Sequence, residues 1–163
     1  MAKKTVTVTL QMSELLYDIE NKTWLTGRQR EDADNYKGVA HMVATSDSPE
    51  RNEILRQIES AKGSLRNHLS EWLGDAFVGS ITDTLPEQSG GITFVLQLPS
   101  NYNPSINSTI ADSMHDYIVN ISIGNWFRIN DKDDSEEYFT LAAANLNELD
   151  AALFKRVRPV RSS

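Results

Sequence analysis

The 163-residue chain contains no cysteine. That absence removes disulfide frameworks, thiolate zinc sites and thiol nucleophiles together, and it is compatible with a reducing cytosol. Also missing is any stretch of about 18 uncharged apolar residues, the minimum for a membrane span. Lys3 and Lys4 begin like the basic end of a secretion signal, but Thr5-Val6-Thr7-Val8-Thr9-Leu10 then alternates where a signal needs an unbroken apolar run. Histidine is scarce. His41, His68 and His115 each lack a second histidine within four residues, so local zinc spacing is absent and ordinary positions at the rim of a core are expected. No G-x-S-x-G elbow occurs, and Gly90-Gly91 lacks both a third glycine and a following lysine-serine pair to cradle phosphate. The sequence therefore predicts no catalytic residue, no cofactor and no metal.

Positive charge is in deficit: 16 lysines and arginines face 23 acids, for a net charge of −7. A field of that sign opposes binding to a polyanion over most of the surface. The deficit is uneven. Lys155, Arg156, Arg158 and Arg161 fall in the last nine residues, and taking those four cations from the total leaves −11 on residues 1–154. The division expected is a single domain over 1–154, a usual length for one core, and a basic extended tail over 155–163.

What is present is periodicity. Residues 5–10 alternate threonine with valine or leucine and read as a half-buried strand, and Ile92–Leu98 reads as a second strand closed by Pro99. Met12, Leu15, Leu16 and Ile19 take helical spacing up to Gly27. Ser48-Pro49 opens a long helix whose stripe runs through Ile54, Ile58, Ala61, Leu65, Leu69 and Trp72 to a stop at Gly74. Asn103-Pro104 opens another, with Ile106, Ile110, Met114, Tyr117 or Ile118, and Ile121 on its apolar face and an end or kink at Gly124; alternation over 118–123 leaves a strand as the competing reading. Asp134 and Glu137 have the spacing of a capping box before Phe139, Ala142, Leu146, Leu149 and Leu153, and Pro159 follows. Residues 29–48 carry only a small apolar island at Val39, Met42 and Val43, and 77–81 reads as a short strand or turn.

The fold class expected is α+β and helix-dominated, with four amphipathic helices and a small β element. The order strand, helix, helix occurs twice, in halves 5–74 and 92–154, which suggests a duplicated β-α-α unit with pseudo-twofold symmetry. A sheet of two strands is marginal alone, so its edges call for a partner strand from the less regular segments or from another subunit. The first strand is accordingly either a member of an internal sheet or an arm added to a neighbour.

Each remaining cluster has a plain reading. Asp131, Asp133 and Ser135 alternate as in an EF-hand, but Glu136 replaces the turn glycine and Ala142 the closing glutamate, which leaves a solvated helix N-terminus. Trp24, Trp72 and Trp126 sit near helix ends, where large aromatics normally close a core. The tail is a helix end with a frayed terminus, a grip on an acidic partner, or a local contact to phosphate.

With Lys3–Leu10 and Lys155–Ser163 as candidate arms around a four-helix body, the chain resembles the small connector, completion or tail-joining proteins of tailed phages. The resemblance implies a virion structural protein that forms a homo-oligomer and contacts other structural proteins through its two ends. On that reading Lys155, Arg156, Arg158, Arg161, Lys3 and Lys4 bind partners. The alternative is a cytosolic protein-binding or regulatory module that uses the basic tail.

Overall fold

Threonine and valine in strict alternation build strand β1, Lys4–Gln11, because each β-branched side chain packs well on one face of a pleat. The computed structural model describes residues 3–29, 48–74, 86, 89–130, 132–159 and 161. Along these run β1, helix α1 (Met12–Gln29), helix α2 (Ser48–His68), strand β2 (Gly91–Leu98), a 3-10 turn (Pro104–Ile106), helix α3 (Asn107–Asn130) and helix α4 (Lys132–Leu153). The described residues form an α+β fold dominated by helices, with a small antiparallel sheet of two strands. The apolar island at 39–43, His41 and the segment 77–81 lie outside the described residues.

The two strands pair antiparallel, from Lys4 opposite Leu98 to Gln11 opposite Gly91. Gly90, at φ +95°, makes the approach to β2 in a conformation that costs glycine least, and its carbonyl accepts from Met12 N–H at 2.9 Å. One face of the pair turns Val8, Leu10, Ile92, Phe94, Leu96 and Leu98 into the core, while Thr5, Thr7, Thr9 and Thr93 stay exposed. The sheet is therefore a lid on the helices, dry on one side and wet on the other.

Helix α3 is the centre of the bundle, packed against α1, α2 and α4. Asn103 opens the turn before it by accepting from Ser105 N–H at 3.1 Å, and Pro104 takes the first position as expected. The helix does not end or kink into a strand at residues 118–124; it continues to Asn130. Ile118, Val119, Ser122, Ile123 and Phe127 are all buried. A helix covered on several sides has no single apolar stripe, so its residues lose helical periodicity and mimic alternation. Gly124 is needed for another reason: a Cβ there would lie 2.7 Å from the Phe139 ring of α4, so its missing side chain lets the two helices close up.

Two further expectations are corrected. Regular α2 stops at His68, and residues up to Gly74 turn instead to meet β2, with Leu73 bridging Leu96. The acidic run is only partly the solvated terminus expected: Asp133, Glu136 and Glu137 are exposed, but two of its residues are not. Asp134 and Ser135 are buried, because α4 folds straight back onto α3 and its first turn is already covered.

Ser122 is fully buried and its Oγ has no hydrogen-bond partner among the described residues. Ser122→Ala removes that unmet hydroxyl and adds helix propensity, so a gain of about 1 kcal/mol is expected in denaturant titration.

Candidate functional site

Lys4 and residues 155–157 converge on Tyr102 and its neighbours. Its backbone bridges Arg156, with Asn103 N–H donating to Lys155 O at 3.1 Å and Val157 N–H to Asn101 O at 2.9 Å. The Lys4 ammonium sits 5.7 Å from the centroid of the Tyr102 ring, a cation–π contact from the other end of the chain. Lys3 lines a small cavity of about 140 Å³ with Glu71, Trp72, Gln97 and Pro99. Arg156 is half-buried and its Nη1 donates to Leu153 O at 2.8 Å, a favourable place for a cation at the end of α4. Lys155, Arg158 and Arg161 are exposed.

Of the six residues the sequence singles out, the structure gathers Lys3, Lys4, Lys155 and Arg156 around the segment 99–103. The start of the tail is docked there rather than loose. Two aromatics join this pole: Trp72 meets Phe154 edge to face at 5.4 Å, yet Phe154 remains 65% exposed beside exposed Val157. Sequence reasoning missed Tyr102 and Phe154. Only the non-local bridge from residue 102 to 156 reveals them, and no local pattern encodes it.

A second surface lies on α1, where Tyr17 and Trp24 are two turns apart and exposed, flanking a shallow hollow with Glu20 and Asn21. Trp24 thus departs from the core position expected of it. The inward face of α1 is already filled by Leu15, Leu16, Ile19 and Thr23, and residue 24 falls outside that arc. Trp126 is buried as expected, and Trp72 is half-buried.

A third feature is a polar notch of about 380 Å³ between α1, α3 and α4, lined by Lys22, Thr26, Asn120, Asp134, Glu137 and Tyr138. Some of its groups are bonded, while Asn120 Oδ1 and Asp134 Oδ2 are buried without a hydrogen-bond partner among the described residues. The Tyr138 and Thr26 hydroxyls are 2.6 Å apart, and Asn120 Nδ2 donates to Asn145 Oδ1 at 2.8 Å. Burial pushes the Tyr138 hydroxyl above its ordinary value of 10.0, aided by Glu137 and Asp134 and opposed by the Thr26 bond. Burial raises Tyr117 likewise. A tyrosine that resists ionisation in the fold contributes stability fully present below pH 10 and lost as pH rises through the folded value. The melting temperature is accordingly expected to fall above about pH 10, and Tyr138→Phe should flatten that fall.

Two histidines act as struts. His115 Nε2 lies 2.6 Å from Asp18 Oδ2, linking α3 to α1, and His68 Nε2 lies 2.8 Å from Asp150 Oδ1, linking the end of α2 to α4. Among the described residues there is no cluster of three or more acids and histidines fit to hold a metal, and no helix long and apolar enough to cross a membrane.

Comparison with known protein families, with curated proteins and with solved structures returns no match to this chain.

Proposed function

We propose that the chain is a non-enzymatic structural assembly protein, of the connector or tail-joining kind in a phage virion, acting as a homo-oligomer that grips other structural proteins through its basic pole. The observation that supports this reading is the gathering of Lys3, Lys4, Lys155 and Arg156 from opposite ends of an acidic chain around Tyr102, with Phe154 and Val157 exposed among them. Cations around an apolar centre suit an acidic protein surface: the charge steers the encounter and the aromatic anchors it. The polar notch and the histidine struts tie helices together, which is work for a body that must hold its shape under load.

The deciding experiment is the mass of the full chain in solution over a wide concentration range. Self-association is expected, and a strict monomer at every concentration overturns the homo-oligomer. A second reading, a cytosolic module that binds one acidic partner, draws on Arg158 and Arg161, which stand exposed beyond the docked part of the tail. It expects a salt-sensitive complex that is lost when residues 158–163 are removed.

A further inference from the structure

The direction of the backbone groups in β1 follows from contacts on the far side of β2. Gln97 N–H donates to Trp72 O at 2.6 Å and Gly74 N–H donates to Val95 O at 2.9 Å. Residues 95 and 97 therefore turn their backbone groups away from β1, and the even-numbered residues of β2 face it. Met12 N–H bonding to Gly90 O continues the same ladder. By the pairing register, the even residues of β1 meet β2, and Thr5, Thr7 and Thr9 aim their N–H and C=O groups at the opposite, outer edge. Among the described residues no backbone hydrogen bond reaches those groups.

Proteins usually guard such an edge with proline, a bulge or a lysine laid across it. None of these guards is present among the described residues. β1 has no proline and its register runs unbroken from Lys4 to Gln11. Lys3 is drawn toward Glu71 and Gln97 on the β2 side, and the Lys4 ammonium lies over Tyr102.

The sequence of the edge also says what fits it. Thr5-Val6-Thr7-Val8-Thr9 reads the same in both directions. We infer that β1 pairs edge to edge with β1 of a second copy, antiparallel about a twofold axis at Thr7, to make a continuous sheet in the order β2-β1-β1-β2. Thr5 then opposes Thr9, Thr7 opposes Thr7, and each pair exchanges both of its backbone bonds. Val6 opposes Val8, so the apolar face continues across the junction. Lys3 and Lys4 meet Gln11 and Leu10, so no like charges are brought opposite one another. Any strand can pair with itself about a twofold; the alternation matters because it sets threonine against threonine on the wet face and valine against valine on the dry one, so this edge is complementary to itself. The inference rests on the reading of the chain as a homo-oligomer and names the contact.

Thr7→Pro tests it, because the Thr7 N–H points outward and its loss spares the ladder to β2. The dissociation constant of the self-complex should rise on the order of a hundredfold while the helical circular dichroism is retained. In the unmodified full chain, hydrogen exchange at the Thr5, Thr7 and Thr9 amides should be slowed in the assembled state and quicken on dilution. A folded Thr7→Pro chain that assembles as tightly as its parent overturns the inference and leaves the homo-oligomer standing. So do amides that exchange at open-chain rates in the assembly, or that are equally protected at every dilution. A monomer throughout removes both. Should Thr7→Pro fail to fold, the exchange measurement decides alone.

Discussion

Phe94→Ala is expected to cost about 4 kcal/mol of folding free energy, a large part of the roughly 5–15 kcal/mol that holds a domain of this kind together. Phe94 stands in the middle of β2, fully buried, directly opposite Val8. The Arg66 guanidinium of α2 also lies over its ring, 5.9 Å from the centroid, so it joins the sheet to that helix. Truncation removes the transfer free energy of the ring and leaves a cavity that a sheet of two strands and a covering helix cannot both collapse into. Urea titration should show a lower midpoint with an unchanged slope, since the surface exposed on unfolding stays the same. A cost below about 1 kcal/mol would contradict the placement of this ring in a rigid core.

Gly124→Leu should cost about 3 kcal/mol and act on a different seam. Even a single added carbon meets the Phe139 ring at 2.7 Å, inside any ordinary contact, and Phe139 is itself held from above by the Arg128 guanidinium at 4.7 Å. A leucine must either push α4 away from α3 or force off-rotamer side chains. Gly124→Ala separates the two contributions, because its gain in helix propensity, about 1 kcal/mol, opposes the clash and leaves a small net loss. Thermal melts of the two variants should therefore differ widely although both replace the same glycine.

The elements legible in the sequence were those whose pattern is local. Thr5 to Leu10 and Ile92 to Leu98 show their alternation because only one face of each strand is buried. Ser48-Pro49 and Asn103-Pro104 marked helix starts because a cap and a proline act on the backbone beside them. Legibility failed where the surroundings decide. Ile118 to Ile123 lost its helical period because neighbours cover α3 on several sides. Asp134 reads as a solvated cap in isolation and is buried only because α4 doubles back. Trp24 reads as a core residue and stands at the surface because the inward arc of α1 was already taken. The pole followed the same division: its four cations could be named from composition, while Tyr102 and Phe154 needed the pairing of residue 102 with residue 156.

The route from Gln11 to Gly91 sets the order in which the molecule can form. The hairpin of α3 and α4 needs only a short reversal between Asn130 and Lys132, so its contacts close quickly at small entropic cost. β1 must instead wait for β2, far along the chain, and the stitch at Tyr102 waits for residues 155–157. The first strand thus stays without its ladder until β2 has followed it.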